Sequence, residues 1–357
     1  MKIKKIKVGI LGLGRAGRGM HYKEILNCNA DYFDIVDACD CDQKQIEKTK
    51  NEFPDLNTKY YTKFEEMLAD KNVELVAVAT RSLDHVKHAL QAAKAGKIVF
   101  VEKPVTLSVR EFDKLIAWEK KHPGTIFIRH NRRFEPCFNH ILDILKTGKL
   151  GWVYEIKLAR NNYSWRADWQ TLIEYGGGQL LNWGPHIIDH SLQLLQSPVK
   201  SVWSNLKLVA AKGDAEDHIK IVFTGENGRI VDMEISGGVA ISEPVYIIHG
   251  TKGSLVSQDE KRIRIKYQNP AIPTPVFSSN PGTPDGFGAP FTPEWIEDDL
   301  QVAPSIGCQT NTIWKDLYFA IRENKPFRIT LEEAREVVRI TELVKAGGID
   351  NARDHKC

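Results

Sequence analysis

The stretch VGILGLGRAG, residues 8–17, places three glycines at G-x-G-x-x-G spacing directly after an apolar run. Glycines at this spacing allow a tight turn and a close approach of the backbone to a pyrophosphate, which lies at the N-terminus of the next helix. The spacing alone is a weak signal, but here a predicted strand precedes it, a predicted helix follows it, and Asp40 stands about 20 residues further on. The sequence therefore predicts a dinucleotide-binding turn, with a purely structural glycine turn as the alternative.

Asp40 distinguishes between two dinucleotides. A carboxylate at the end of the second strand can accept hydrogen bonds from both ribose hydroxyls of NAD, and it repels the additional phosphate of NADP. Cys41 and Asp42 follow it without an arginine that could bind that phosphate, although Lys44 is a nearby cation. The sequence predicts NAD as the cofactor.

The first third of the chain alternates apolar runs with helical segments. The run at 73–80 is apolar almost throughout, as expected of a strand that is buried on both faces of a sheet. Repeated alternation of strand and helix predicts a doubly wound parallel sheet, so residues 1–130 are predicted to form a Rossmann domain of the α/β class. The predicted strands are 5–11, 33–40, 73–80, 97–102 and 125–129, and the predicted helices are a segment ending near 27, then 42–52, 83–95 and 108–121.

The pattern changes after residue 130, where predicted strands follow one another and GENGR (225–229) predicts a hairpin turn. Residues 131–357 are therefore predicted to form a C-terminal α+β domain built on an open, mostly antiparallel sheet. Its predicted strands are 152–160, 199–209, 217–223, 230–235, 245–249 and 262–267, and its predicted helices are 137–147, 310–323 and 330–346.

Residues 270–304 contain eight of the sixteen prolines and are predicted to form a long arm. Loops of this length in a compact domain are normally functional or disordered. A surface arm, a lid and an arm that grips a neighbouring subunit all fit the composition.

The bulk composition excludes several classes of protein. A chain of 357 residues is long enough for two domains, and its net charge of +3 with scattered lysines lacks the basic stripe of a nucleic-acid-binding protein. No apolar run approaches the roughly 20 residues that span a bilayer, and the glycines and arginines after MKIKKIK are unlike the apolar core of a signal peptide. The six cysteines lack a CxxC pair, so we expect reduced thiols in a cytoplasmic protein that binds neither nucleic acid nor membrane.

Four further motifs complete a pattern that covers nearly the whole chain. They are VFVEKPVTLS (99–108), HNRRFEP (130–136), Trp165-Arg166 and GGGQLLNWGPHIID (176–189). Together with GLGRAG they resemble the Gfo/Idh/MocA oxidoreductases, which include glucose–fructose oxidoreductase and inositol dehydrogenase. The resemblance implies a Rossmann domain followed by an open antiparallel sheet whose face covers the nicotinamide. We also expect a homo-oligomer, a dimer or a tetramer, formed through the C-terminal sheet.

The resemblance also implies roles for individual residues. Lys103, the lysine of EKP, lies between nicotinamide and substrate, and the Lys103–Pro104 bond is cis. His186 accepts the proton of the substrate hydroxyl, and many members have an aspartate four residues earlier, where this chain has Asn182. The residues predicted to contact the cofactor are Gly12, Gly14, Arg15, Ala16, Gly17, Asp40, Thr80, His85, Glu102 and Lys103.

The chemistry of alcohol oxidation supports Lys103, His186 and Asn182 as the predicted catalytic residues. Removing a hydride from a secondary alcohol gives a carbonyl, so the hydroxyl proton must leave as well, and a histidine that titrates near neutrality suits that transfer. A lysine beside the oxygen stabilises the developing negative charge. Asn182 and His186 are four residues apart, so on one helix they share a face and the amide can hydrogen-bond the imidazole ring. Pro185 predicts that the helix begins near Gly184 or is kinked there.

A carbohydrate or polyol is predicted as the substrate. Aromatic faces stack on sugar rings and Arg/Asp pairs bind hydroxyls, which makes Trp165, Arg166 and Asp168 candidates. Arg132 and Arg133 either reach the cleft, where an acidic sugar would be bound bidentately, or form an interdomain salt bridge. The residues predicted to contact the substrate are Arg132, Trp165, Arg166, Asn182 and His186.

His186, Asp189 and His190 could together be taken for a metal site. Asp189 fits better as a residue that supports or caps its neighbours, so no metal is predicted.

The sequence thus predicts an NAD-dependent oxidoreductase that transfers a hydride between the nicotinamide and a hydroxyl of a sugar, polyol or glycoside. One alternative is a redox-neutral enzyme that keeps NAD bound and cleaves a glycoside by oxidation, elimination and reduction. The other is a non-catalytic sensor of NAD or sugar. Lys103 and His186 argue against a sensor, whereas Asn182 leaves it open.

Overall fold

The N-terminal part of the molecule is built on a parallel sheet. The computed structural model describes residues 3–273, 293–302 and 309–352. Six strands pair in the order β3-β2-β1-β4-β5-β6, and every pairing is parallel, which confirms the predicted doubly wound sheet. The strands are β1 (Ile6–Leu11), β2 (Phe33–Cys39), β3 (Lys59–Tyr61), β4 (Leu75–Val78), β5 (Ile98–Val101) and β6 (Ile126–Ile128).

Helices cover this parallel sheet. The Asp42 side chain caps one of them by accepting a 2.9 Å hydrogen bond from the Lys44 N–H, as its short acidic side chain favours. Neither β3 nor the helix after it was predicted, because this segment is short and its strand is at most half-buried. The helices are a π-helical turn (Gly17–Tyr22) that continues as α1 (Lys23–Cys28), then α2 (Gln43–Glu52), α3 (Phe64–Ala69), α4 (His85–Lys94) and α5 (Val109–Glu119).

The second sheet has nine strands among the described residues, in the order β14-β13-β12-β11-β7-β10-β9-β8-β15. Only β7 with β10 and β8 with β15 pair in parallel, so the sheet is mostly antiparallel, as predicted. The hairpin predicted at GENGR joins β9 to β10. The strands are β7 (Val153–Asn161), β8 (Val199–Leu208), β9 (His218–Gly225), β10 (Ile230–Ser236), β11 (Tyr246–Gly250), β12 (Gly253–Ser257), β13 (Arg262–Gln268), β14 (Trp295–Gln301) and β15 (Asp350–Asn351).

Among the described residues, five α-helices follow residue 130. Residues of α8 and α10 form one core with the inward-facing residues of the second sheet, which leaves the opposite face of that sheet open. A capping box of Thr330 and Glu333 begins α10. The helices are α6 (Pro136–Lys146), α7 (Gln179–Asn182), α8 (Gly184–Leu195), α9 (Thr312–Glu323) and α10 (Leu331–Lys345).

Helix α9 packs into the core of the parallel sheet. Trp314 is completely buried, and its ring meets the edges of Phe33 and Phe100 at centroid distances of 5.1 and 5.0 Å. The prediction grouped this helix with the second domain, because sequence order alone does not tell that the chain returns to the first.

Part of the predicted arm is a strand. Residues 295–301 form β14 and pair antiparallel with β13, which corrects the expectation of a loop at this position. The strand escaped prediction because acidic residues interrupt its apolar pattern; Asp299 and Glu297 pair instead with Arg262 and Lys266 of β13. Residues 274–292 and 303–304 of the arm lie outside the described residues. None of the described helices is both long and apolar enough to cross a membrane.

Candidate active site

The glycine turn after β1 has the shape that its spacing predicts. Gly12 has a φ of +93°, and a Cβ there would lie 2.6 Å from the carbonyl oxygen of Ala79. A Cβ on Gly17 would lie 1.8 Å from the carbonyl oxygen of Gly12, so both positions accept only glycine. A Cβ on Gly14 would meet no atom within 4 Å. The turn therefore presents bare backbone to open space, which fits a pyrophosphate.

The two residues between Gly14 and Gly17 have different surroundings. Arg15 is exposed beside the turn. The Ala16 carbonyl accepts hydrogen bonds from the N–H groups of Met20 and His21, at 3.1 and 2.9 Å, and so begins the π-helical turn.

Asp40 follows β2 directly and is fixed by two backbone donors. Its Oδ2 accepts a 2.7 Å hydrogen bond from the N–H of Leu13, and its Oδ1 accepts a 2.9 Å bond from the N–H of Asp42. Each carboxylate oxygen can accept more than one hydrogen bond, so capacity for a ribose diol remains. The carboxylate is thus held against the glycine turn, and this fits a dinucleotide.

Thr80 and His85 connect the ends of β4 and β5. The His85 Nδ1 lies 2.8 Å from the carbonyl oxygen of Pro104, and its Nε2 lies 3.0 Å from that of Thr80. The Thr80 hydroxyl lies 3.1 Å from the Nδ1 of His88. The polar atoms of these side chains therefore hold two loops together at the carboxyl edge of the sheet, where ligands of such folds bind.

Glu102 belongs to a buried ion network. Its carboxylate accepts hydrogen bonds from Arg129 at 2.6 Å and from the N–H of Lys103 at 3.1 Å, and it lies 3.0 Å from the Nε2 of His21. Burial on its own would raise the pKa of Glu102, but Arg129 and His21 hold that pKa well below its usual range. Glu24 binds the other side of Arg129. The Glu102 side chain thus acts as an anchor for Lys103.

Lys103 reaches the second domain. Its peptide bond with Pro104 is cis, as the resemblance implied. The ammonium group donates a 3.0 Å hydrogen bond to the backbone carbonyl of Asn182. Partial burial lowers the pKa of Lys103 to about 8; Glu102 opposes this shift and Arg132 adds to it. Lys103 is therefore a positive group that loses its proton more readily than an ordinary lysine.

The helix that carries His186 is broken at Trp183. Helix α7 ends at Asn182 and α8 begins at Gly184, with Pro185 in its first turn, where the missing N–H is tolerated. The break frees the Asn182 carbonyl for Lys103, and the half-buried Asn182 amide makes no hydrogen bond with a described residue. The predicted hydrogen bond between this amide and His186 is therefore wrong, because the two residues are not on one continuous helix.

His186 is buried in a positively charged setting. Only 6% of the residue is exposed, and its Nδ1 is sealed from solvent without a hydrogen-bond partner among the described residues. Burial, followed by the charges of Lys103 and Arg132, holds the pKa of His186 well below its usual range. The imidazole is therefore neutral at physiological pH and can accept a proton.

Arg132 and Arg133 have separate roles. Arg132 forms an ion pair with Glu135 and stacks 4.1 Å over the ring of Trp183. Arg133 binds both oxygens of Asp189, at 2.8 and 2.6 Å, so it forms a salt bridge within residues 131–357 and not the interdomain salt bridge that the sequence suggested. Asp189 is thereby engaged, and the described residues hold no cluster of three or more side chains that could bind a metal.

Trp165 and Arg166 are close in sequence but differ in surroundings. Trp165 is 72% exposed, and its ring meets the ring of Tyr163 edge-on at a centroid distance of 6.3 Å. Arg166 pairs with Asp168 and lines a polar cavity of about 230 Å³ that Trp183 also lines. The structure thus brings Arg132, Asn182, His186 and Lys103 together, places Arg166 along the adjoining cavity, and leaves Trp165 on the surface.

Sequence analysis missed three residues near this site. Glu216 is buried in the cavity wall. His130 is buried, and neither ring nitrogen has a partner among the described residues. Arg81 stacks on the rings of Trp169 and Tyr175. His130 precedes the Arg132-Arg133 pair and could have been found there. Glu216 and Arg81 carry no local signal, because their partners are far away in the sequence.

These features define the class of protein. A doubly wound parallel sheet with a glycine turn after β1 and a carboxylate after β2 is a dinucleotide-binding domain. At the carboxyl edge of this sheet, Lys103 follows β5 and meets the break between α7 and α8, and α8 carries the buried His186.

Comparison with known proteins identifies the family. Residues 6–130 match the oxidoreductase family with an NAD-binding Rossmann fold, and residues 138–256 match the GFO/IDH/MocA C-terminal domain. Scyllo-inositol 2-dehydrogenase (NADP(+)) IolW of Bacillus subtilis is 27% identical over 353 residues, which are 96% of this chain and 93% of the relative. An uncharacterized oxidoreductase of Schizosaccharomyces pombe is 30% identical over 264 residues, 70% of each chain. The chain therefore belongs to the Gfo/Idh/MocA family of NAD(P)-binding oxidoreductases.

A solved structure agrees with this assignment at the level of the fold. The crystal structure of an NAD-binding protein from Listeria innocua has a TM-score of 0.78 and 24% identity to this chain, and the match covers 96% of both.

Proposed function

We propose that this enzyme is an NAD-dependent oxidoreductase that acts on a hydroxyl of a sugar, polyol or glycoside. When bound, NAD supplies the acceptor for the hydride that leaves the substrate carbon. The main support for the proposal is the hydrogen bond from Lys103 to the Asn182 carbonyl at the break between α7 and α8. This contact lies close to His186, which is buried and neutral.

Lys103 positions the substrate oxygen and stabilises its charge. An ammonium group has three donors, and Lys103 uses one of them on the Asn182 carbonyl. The other two are free to bind the hydroxyl oxygen as negative charge develops on it. Because the site is partly buried, that electrostatic stabilisation is stronger than it would be in water.

His186 takes the hydroxyl proton. It is neutral because burial and the neighbouring positive charges disfavour the imidazolium form. With Nδ1 sealed in the protein, Nε2 is the atom that accepts the proton. Asn182 contributes through its backbone carbonyl, which holds Lys103.

NAD is preferred to NADP on the basis of Asp40. Its carboxylate is fixed beside the glycine turn, and the Asp42 side chain follows at the start of α2, so a 2′-phosphate would meet two negative charges. The name of the relative IolW specifies NADP(+), and the present proposal therefore depends on Asp40 of this chain rather than on that relative.

A polyol or sugar substrate has two supports. The relative IolW is named as a dehydrogenase of scyllo-inositol, a cyclic polyol. The cavity next to Trp183 is lined mostly by polar side chains, as hydroxyl-rich ligands require.

The experiment is an incubation of the purified enzyme with NAD, and separately with NADP, and a panel of inositols, monosaccharides and glycosides. We expect NADH and an oxidised product from at least one member of the panel, with NAD preferred. Cleavage of a glycoside without net NADH would instead favour the redox-neutral alternative. Binding of NAD and a sugar without any product would favour the sensor.

A further inference from the structure

A polar cavity of about 230 Å³ runs along α7 beside the catalytic pair. Gly178 and Gln179 line it at the start of α7, and Trp183 lines it after the end of that helix. The Trp183 ring meets the His186 ring edge-on at a centroid distance of 6.1 Å. Trp183 therefore adjoins both the cavity and His186.

Two buried carboxylates, Glu216 and Asp217, line the cavity wall. Asp217 accepts hydrogen bonds from three backbone N–H groups, those of residues 209–211, so Glu216 is the less engaged of the two. Only 6% of Glu216 is exposed. Its Oε1 accepts a 2.9 Å hydrogen bond from the N–H of Leu180, and the N–H of Glu216 itself also bonds the carboxylate; no other described residue donates to Oε2. Burial raises the pKa of Glu216 to about 7, and the hydrogen bond from Leu180 opposes that shift. Near neutral pH the free side of this carboxyl can both accept and donate a hydrogen bond.

Gln179 also lines the cavity, but its Oε1 is sealed within the protein and does not face the cavity space. On another wall, the charge of Arg166 is compensated by Asp168 at 2.9 Å. The remaining acceptor capacity of the Glu216 carboxyl is therefore available to a ligand that brings a hydrogen-bond donor.

The chemistry of the cavity narrows the class of ligand. Hydroxyl groups can donate to the Glu216 carboxyl, whereas a carboxylate or phosphate would bring acceptors and a negative charge that Glu216 and Asp217 repel. The volume corresponds to about eight water molecules at roughly 30 Å³ each, which is enough for a sugar-sized group.

We propose that this cavity is a subsite for a neutral, hydroxyl-rich group attached to the part of the substrate that is oxidised, and that Glu216 determines its specificity. The substrate class is then a neutral glycoside or an extended polyol rather than an acidic sugar. The inference rests on the proposed function, because Lys103 and His186 fix which end of the substrate reacts.

The variant Glu216→Gln separates binding from folding. The amide oxygen of glutamine can still accept the hydrogen bond of Leu180, so α7 keeps its support. The free side of the group, however, loses its charge and its ability to change protonation. Glu226→Gln makes the same chemical change on the exposed hairpin at the far end of β9 and serves as the matched control.

The measurement is calorimetric binding of D-glucose, cellobiose, maltose, lactose and D-glucuronate to the full chain, with and without NAD. At least one neutral disaccharide is expected to bind more tightly than glucose. Glu216→Gln should lower the affinity for that disaccharide by about tenfold, which corresponds to the loss of one good hydrogen bond. The affinity for glucose should not change. Glu226→Gln should match wild type. Equal weakening of all probes, no change in any, or binding of glucuronate alone would overturn the proposal, as would the failure of every neutral disaccharide to bind.

Turnover measured in parallel separates this inference from the proposed function. If a disaccharide binds in a way that depends on Glu216 but no NADH or product forms, the subsite is supported and the proposed reaction is contradicted. If NADH forms at the same rate in wild type and Glu216→Gln with both short and long substrates, the reaction is supported and the subsite is contradicted.

Discussion

Burial lowers the pKa of both Lys103 and His186 and gives the two side chains complementary roles. It lowers the pKa of Lys103 to about 8, so the amine is still mostly protonated at neutral pH. It holds the pKa of His186 well below its usual range, so the imidazole is neutral there. One site therefore contains a hydrogen-bond donor with positive charge and a proton acceptor at the same pH, which alcohol oxidation needs.

Asp40→Ala tests the cofactor at the residue scale. The change removes a charged acceptor worth roughly 1.5–3 kcal/mol, so NAD affinity should fall by about ten- to a hundredfold. NADP should be affected less or should gain, because a repulsive charge is removed. Titration calorimetry with both dinucleotides measures this, and Asp34→Ala, an exposed position on the same strand, is the control. Unchanged NAD binding by Asp40→Ala would contradict the assignment.

Asn182→Asp tests the electrostatics of the histidine. A carboxylate at 182 favours the imidazolium form and raises the pKa of His186. If the neutral histidine is the base in oxidation, a higher pKa means that a higher pH is needed to deprotonate it. The acidic limb of the kcat/KM profile should therefore move to higher pH. Because no hydrogen bond joins the two side chains, the shift arises through space.

The control for that experiment is His186→Ala, which should lose the limb together with most of the activity. A pH–rate series on wild type and both variants decides the matter. A limb that stays in place in Asn182→Asp, or survives in His186→Ala, would speak against His186 as the base.

At the residue scale, prediction from sequence worked where the contact is local or where a family motif names the residue. The glycine turn and Asp40 depend on neighbours within one strand–turn–helix unit, and EKP marks Lys103. Glu216 was out of reach, because its contact with Leu180 joins residues 36 positions apart and neither carries a motif. The amide contact of Asn182 was mispredicted, because helical spacing was assumed to continue through Trp183.

At the scale of elements, the short α7 and its separation from α8 organise the site. The glycine triplet 176–178 sets the entry into α7, and Gly178 has a φ of +104° with a ψ of 154°. A Cβ there would lie 2.2 Å from the Oε1 of Glu216. The triplet therefore lets the chain turn tightly beside a buried carboxyl and begin the helix whose end meets Lys103.

Gly178→Ala should be more damaging than an ordinary glycine substitution. Its backbone conformation is nearly exclusive to glycine, which costs about 1–3 kcal/mol, and the new Cβ displaces Glu216 as well. Gly148→Ala is the matched control, because Gly148 also has a positive φ, of +70°, but no atom lies within 4 Å of its Cβ position. Urea unfolding should show a larger loss in the free energy of unfolding for Gly178→Ala. An equal loss in the two variants would contradict this account of the triplet.

The elements that sequence analysis found and those it missed differ in burial. Strand β4 is completely buried, so its apolar run was plain. Strand β14 alternates exposed and half-buried residues and carries three acidic side chains, so its pattern resembled a loop. An edge strand that is held by ion pairs shows little hydrophobic pattern in its sequence. Its structure depends on the neighbouring strand with which it pairs.

At the scale of the whole molecule, the open face of the second sheet is the surface predicted to form the oligomer. Trp203 of β8 is 58% exposed and lies opposite Val222 of β9 on that face. β8 is the strand next to the edge of the sheet, and the large apolar ring of Trp203 would be removed from water if a second molecule covered this face. We expect wild-type enzyme to be a dimer or a tetramer by light scattering, and Trp203→Glu to shift it towards smaller species.

Leu343→Glu is the control for the oligomer. Leu343 is also half-exposed, at 50%, but it lies on α10, on the side of the sheet that helices already cover. It should leave the molar mass unchanged. A monomeric wild type, or a Trp203→Glu variant with wild-type mass, would remove the sheet face as the interface.

Lys103→Met tests the central claim most directly. Methionine keeps the length of the side chain and removes the charge, while Lys48→Met on the exposed side of α2 is the matched control. With a substrate found in the panel, we predict NAD affinity within about threefold of wild type and turnover lower by about a hundredfold or more, as expected when an electrostatic stabiliser is lost. Turnover close to that of wild type, with NAD bound normally, would mean that Lys103 is not at the reacting oxygen and would contradict the account.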